Sequence, residues 1–227
     1  MKVAILFSGG KDSTIALYEA KKDGHEICCL VSVLPKNPES YMFHYPNVEL
    51  TVLQARAMGL KIITRESKGE KEKELKDLEA VLGDAKKKEG IEGVVVGTVE
   101  SVYQSSRVDK VCKKLGLKMI SPLWHKEPEE LWRSIIHHGF KVMIIAVACE
   151  GLDQSWLGKV IDKGSLDQLL IKSRKHRFHP CGEGGEFETL VIDGPIFQKR
   201  IEIKNANPVW EYNSGFYVIE KAELKEK

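Results

Sequence analysis

Short β-branched or apolar runs alternate, over the first two thirds of the chain, with longer polar stretches in which apolar residues return at helical spacing. The runs predict strands at Val3–Phe7, Ile27–Val33, Lys61–Thr64, Gly93–Val96, Lys118–Ile120 and Val142–Ala148. The stretches between them predict helices at Ser13–Lys22, Val48–Met58, Glu70–Glu89, Ser101–Leu115 and Pro128–His138. Such alternation is the pattern of a parallel sheet covered by helices. Asn47 can cap one helix, and Pro128 suits a first helical position followed by Glu129 and Glu130 in the favourable first turn. Between Lys71 and Lys88, the residues Leu75, Leu78, Val81 and Leu82 share a helical face, so the lysines there read as its solvated side.

After about Glu150 the pattern changes. A helix is expected from Leu166 to Arg174, with Ser165 and Gln168 at the spacing of a capping box. Alternating segments at Glu188–Ile192, Gln198–Asn205 and Gly215–Glu220 then predict antiparallel strands. The expected division is a domain at 1–148 and a small α+β domain at 149–227, whose active face is expected to meet the main sheet.

Composition narrows the class of protein. The 227 residues are 42% hydrophobic and 30% charged, which fits a folded globular chain and excludes a disordered one. With 35 basic and 33 acidic side chains the formal charge is +2, which argues against nucleic acid as a partner. The apolar run Val142–Ala148 is far shorter than the ~20 residues a membrane span needs, and Ser8 to Asp12 interrupt the apolar N-terminus before it resembles a signal peptide. No membrane association is expected. Five cysteines, Cys28, Cys29, Cys112, Cys149 and Cys181, form no CxxC pair and no even framework, so a reducing cytoplasm is the expected compartment.

The densest chemistry lies at the first strand. Val3–Phe7 runs into Ser8-Gly9-Gly10-Lys11-Asp12-Ser13 and then into a helix. Two glycines let the backbone bend so that amide N–H groups face phosphate oxygens, and the helix start adds partial positive charge. Ser8 and Ser13 can donate further, and Lys11 supplies a cation. Asp12 beside phosphate is unfavourable unless it holds a metal or a helix-end amide, so magnesium is implied. The spacing is neither GxxxxGK[ST] nor GxGxxG.

The string resembles the SGGxDS loop of the PP-loop, or N-type ATP pyrophosphatase, superfamily. Three more segments narrow the likeness: Ser40-Tyr41-Met42-Phe43-His44-Tyr45-Pro46-Asn47, Tyr103-Gln104 with Arg107-Val108, and Glu183-Gly184-Gly185-Glu186-Phe187-Glu188-Thr189. In this order they resemble the diphthine-ammonia ligase family over essentially the whole chain. One departure is Ser105, where relatives often carry an arginine after the glutamine.

The resemblance implies a parallel Rossmann-like sheet of the HUP type with helices on both faces. It implies ATP-dependent adenylation of the carboxylate of diphthine on translation elongation factor 2, then capture by ammonia to give diphthamide, AMP and pyrophosphate. Ser8, Gly9, Gly10, Lys11, Asp12 and Ser13 are expected at ATP, with Asp12 at magnesium and Ser32, His44 and Gly97 near the nucleotide. Lys11, Asp12, Glu183 and Glu186 are the catalytic candidates. Tyr103, Gln104, Arg107, Glu183, Gly184, Gly185, Glu186, Glu188 and Thr189 are expected at the substrate. The carboxylates can serve magnesium or, with Phe187, Tyr103 or Trp124, the trimethylammonium of diphthine; a hairpin turn flanked by solvated glutamates is the plainer alternative.

Other residues read more simply. His137 and His138 suit a helix C-terminus, and Cys28 and Cys29 suit strand packing. Cys181, beside Gly182, is the one thiol that a site loop could expose, and the cluster from Lys172 to His179 is either a contact for an anionic partner or a solvated helix end. Free ammonium is the expected nitrogen source, closure of the two domains over ATP is expected, and a homodimer rests on family analogy alone. Two other functions compete: a PP-loop enzyme that adenylates a tRNA base, and a non-catalytic ATP-binding sensor.

Overall fold

A computed structural model describes residues 1–35, 50–67 and 73–227. The expected cap Asn47, the candidate His44, the rest of Ser40–Asn47 and the beginnings of the helices expected at Val48 and Glu70 lie outside the described residues. The chain divides into two units, Met1–His125 and Lys126–Lys227.

In the first unit, strands β1 (Lys2–Leu6), β2 (Glu26–Pro35), β3 (Ile62–Ser67), β4 (Gly93–Val95) and β5 (Lys118–Ile120) form a parallel sheet in the order β3-β2-β1-β4-β5. Helices α1 (Lys11–Lys22), α2 (Leu50–Met58), α3 (Lys73–Glu89) and α4 (Val102–Leu115) connect them. Alternate strand residues face opposite ways. Ala4, Cys29, Val31, Val33, Val94 and Val96 therefore pack with Leu78, Val81, Leu82 and Ala85 of α3 and Val108, Val111 and Cys112 of α4. Helix α1 packs on β1, β2 and β4. The lysines 86–88 of α3 are exposed, as its periodicity predicts.

The second unit contains α5 (Pro128–His137), β6 (Lys141–Val147), α6 (Lys163–His176), β7 (Phe187–Asp193), β8 (Lys199–Glu211) and β9 (Ser214–Glu226). Its sheet has the order β7-β6-β9-β8, and all its pairings are antiparallel. Here the expectation needs correcting: β6 does not extend the parallel sheet, and α5 and β6 fall in the second unit, so the 1–148 and 149–227 division is displaced. The cause is burial. β6 pairs with β7 on one side and with β9 and Val160 on the other, and Val142 to Val147 are all buried. A central antiparallel strand covered on both faces carries the same unbroken apolar run as a parallel one. The capping box also moves. Asp162 caps α6, accepting from Ser165 N at 2.8 Å while Ser165 Oγ accepts from Asp162 N at 2.8 Å, so the helix starts one turn before Leu166. Among the described residues no helix is long and apolar enough to cross a membrane.

Candidate active site

The order β3-β2-β1-β4-β5 has its switch point between β1 and β4, whose following connections run to opposite sides of the sheet; ligands of open α/β sheets bind at the carboxyl end of such a pair. The SGGKDS loop leaves the carboxyl end of β1. Gly9 turns it with φ +84°, and a Cβ there would also collide with Gln54 Oε1. Gln54, fully buried on α2, donates from Nε2 to Gly9 O at 2.8 Å. Gly10 is the N-cap of α1 and offers no side-chain cap. Its carbonyl accepts from Thr14 Oγ1 at 2.8 Å and Ser13 Oγ at 3.2 Å, and the Ser8 and Ser13 hydroxyls lie 3.2 Å apart.

The residues after β4 close against this loop. A Cβ on Gly97 would lie 2.6 Å from Asp12 C and Ser13 N, so only glycine permits the approach. Lys11 is buried, with Nζ 2.8 Å from Asp12 Oδ2, and Asp12 Oδ1 is buried without a hydrogen-bond partner. Buried hydroxyls without hydrogen-bond partners occur at Ser32 in β2, at Thr98 after β4, at Ser121 after β5 and at Thr51 in the first turn of α2. Buried polar atoms rarely go unpaired. Sequence reasoning named Ser32 and missed Thr98, Ser121, Thr51 and Gln54. For Thr98 and Ser121 the available signal was a hydroxyl residue just past a strand's carboxyl end; Thr51 and Gln54, on α2, carried none.

Helix α4 begins beyond the β4 loop. Ser101 caps it by accepting from Gln104 N at 3.4 Å, Tyr103 is exposed, and the Arg107 guanidinium lies 4.2 Å from the Tyr103 ring centroid. One face of that ring is thus already taken by a cation.

The glutamate-rich segment of the second unit is built differently. Gly182 and Gly185 turn the chain with φ +74° and +83° before β7. Glu186 accepts from His179 N at 2.7 Å through Oε1 and from Gly184 N at 2.8 Å through Oε2. His179 Nδ1 accepts from Cys181 N at 3.1 Å. The loop is fixed to α5 as well, since Trp132 Nε1 donates to Pro180 O at 2.8 Å and Cys181 Sγ reaches Pro128 O at 3.7 Å. Cys181 is buried rather than exposed, because that contact turns its sulfur inward. Phe187 is buried edge-on against Phe178 and offers no open ring to a cation. Glu188 and Thr189 lie on β7 opposite Ala146 and Ile144, and Glu183 is half-buried. Burial first, and the Glu186 charge second, push the nearby Cys149 thiol up to about 11. His138 caps α5 as its position suggests, with Nδ1 2.7 Å from Ser134 O.

Two family models match, and together they take in both units: "Diphthamide synthase N-terminal domain" over residues 1–119 and "Diphthamide synthase C-terminal domain" over residues 127–224. The chain belongs to the diphthamide synthase family. Among curated members, the mouse protein named diphthine--ammonia ligase is 36% identical over 95% of this chain and 88% of its own length. The human protein of that name is 36% identical over 92% and 85%. The Schizosaccharomyces pombe protein is 35% identical over all of this chain but 40% of its own length, so the family core also occurs inside longer chains. A Methanocaldococcus jannaschii structure titled as a predicted subunit of tRNA methyltransferase covers 86% of this chain and 98% of its own, at 18% identity and a TM-score of 0.46.

Magnesium can be tested against these residues. Asp12 offers a hard carboxylate oxygen with no hydrogen-bond partner at the glycine turn between β1 and α1. Magnesium in nucleotide sites is held by one or two carboxylates plus phosphate oxygens and water, and the residues present fit that requirement.

Proposed function

We propose that this chain is an ATP-dependent diphthine–ammonia ligase. One observation carries the reading: likeness to proteins of that name runs through both units, so it extends beyond a nucleotide-binding half. A carboxylate oxygen of diphthine, on elongation factor 2, attacks the α-phosphorus of ATP and the bond to pyrophosphate breaks. Ammonia then attacks the acyl carbon, the acyl–oxygen bond breaks with AMP leaving, and a proton is lost from nitrogen. The tRNA-modifying and sensor alternatives are not favoured by these relatives.

The first unit's residues serve the first step through position and charge. Amides at Gly9 and Gly10 and the hydroxyls of Ser8 and Ser13 bind the phosphates, and Lys11 neutralises them. Asp12 Oδ1 would hold magnesium, which supplies charge neutralisation on the phosphate oxygens. Ser32, Gly97 and Thr98 border the nucleotide; Tyr103, Gln104 and Arg107 orient the acceptor. Glu183, Glu188 and Thr189 meet the substrate's cationic group, while Glu186 shapes the loop through Gly184 and Gly185. A cytoplasmic location, free ammonium as nitrogen donor and a homodimer belong to the same proposal.

The test combines the chain with ATP, magnesium, ammonium and diphthine-bearing elongation factor 2. AMP should form only in the complete mixture, and the target peptide should lose the small mass that separates OH from NH₂. ATP consumption with no change in the peptide would reject the reading.

A further inference from the structure

We infer that Gln54 is a positioning residue for the phosphate loop, locking the Gly9–Gly10 peptide so that its N–H, and not its carbonyl oxygen, faces the phosphates; this rests on the nucleotide reading above. Gln54 lies on α2, 45 positions from the loop, and is completely buried. Its Nε2 donates to Gly9 O at 2.8 Å. A trans peptide is planar, with its C=O and N–H pointing in opposite directions, so holding the carbonyl toward α2 aims Gly10 N–H away from it. Such a lock matters at this bond more than at most. Two adjacent glycines rotate almost freely, and a crankshaft flip of one peptide plane would put a carbonyl dipole against a polyanion. Within the loop a hydroxyl holds this peptide weakly, with Gly10 N donating to Ser8 Oγ at 3.4 Å. The Gln54 bond is the shorter one, and it comes from outside the loop. Close packing fixes the same geometry: the site of a Gly9 Cβ is 3.2 Å from Gln54 Cδ and 3.4 Å from Nε2.

Two variants separate this role from plain packing. Gln54→Met keeps the length and cannot donate. Gln54→Glu keeps the shape and donates only when protonated, which burial favours at mildly acidic pH. Equilibrium binding of ATP, inorganic pyrophosphate and adenosine is measured from pH 5 to 8.5, with melting curves for each protein. For Gln54→Met, ATP and pyrophosphate should bind about tenfold more weakly at every pH, the loss of one charge-assisted bond. For Gln54→Glu, binding should be at least as weak at pH 8.5 and recover toward wild type as pH falls. Adenosine affinity should not move in either. ATP affinity equal to wild type in Gln54→Met, or an equal loss for adenosine in both variants without recovery at low pH, would overturn the inference alone. Wild-type chain that binds neither ATP nor pyrophosphate would overturn the nucleotide reading and this inference together.

Discussion

The two glycine-pair loops, Ser8–Ser13 in the first unit and Glu183–Glu186 in the second, look alike in sequence and are held in opposite ways. The first is gripped from outside, by Gln54 on α2 and by close approach of Gly97, which leaves Asp12 Oδ1 without a hydrogen-bond partner. The second is gripped by its own acid: both oxygens of Glu186 accept backbone N–H groups of the turn it belongs to. A conspicuous charged residue is therefore a poor guide to chemistry until its hydrogen bonds are counted. In one loop a buried carboxylate oxygen is left without a hydrogen-bond partner; in the other, both oxygens of the carboxylate are spent on shape.

Matched substitutions break this comparison open, and the largest effect is expected at Gly9. Gly9 and Gly185 share almost the same φ, +84° and +83°, yet a Cβ would strike Gln54 at the first and meet nothing within 4 Å at the second. Gly9→Ala should weaken ATP binding about 100-fold, whereas Gly185→Ala should cost about 1 kcal/mol of stability from backbone strain and leave ATP affinity unchanged. Calorimetric titration and thermal melts of both variants measure this directly; similar ATP losses would erase the distinction. A smaller effect is expected at Gly97. Gly97→Ala pushes a methyl into the Asp12–Ser13 backbone, so ATP affinity should drop about tenfold with a stability loss of ~1–3 kcal/mol.

At the second loop the expected effects are on structure. Glu186→Gln replaces one acceptor oxygen with a donor and leaves a loop N–H unpaired, which should cost ~1–3 kcal/mol in denaturant unfolding without changing ATP affinity. The smallest effect concerns Cys149. Its thiol, pushed up to about 11, holds its proton at neutral pH, so alkylation should rise about tenfold per pH unit from pH 7 toward 10. Removing the Glu186 charge lowers that value and so raises the thiolate fraction; Glu186→Gln should speed labelling at pH 8 by a few-fold. An unchanged rate would separate Glu186 from the thiol.

The parallel sheet, its five strands and the glycine turn that joins β1 to α1 were legible because each rests on local pattern: β-branched runs, helical periodicity and glycines at a strand's end. β6 was not, since a buried run carries no mark of its neighbours' direction; only the pairing of Val142 with Val191 and of Ala146 with Glu188 decides it. Asp162 was overlooked as a cap because Ser165, three residues later, is itself a good cap residue. Gln54 left no trace in the pattern, since a glutamine on a helix is ordinarily solvent-facing and its partner is 45 positions away. The roles within Glu183–Thr189 were only half legible. Composition announces carboxylates, but their hydrogen bonds follow from a turn that brings His179 N and Gly184 N onto one side chain.

Activation of the diphthine carboxylate as an adenylate is tested most directly by following its oxygens. Elongation factor 2 carrying ¹⁸O in that carboxylate is incubated with the chain, ATP, magnesium and ammonium, and the released AMP is examined by mass spectrometry. Adenylation predicts AMP bearing one oxygen from the carboxylate, in step with amide formation. Amide formed with unlabelled AMP, or with ADP and phosphate as products, would contradict it.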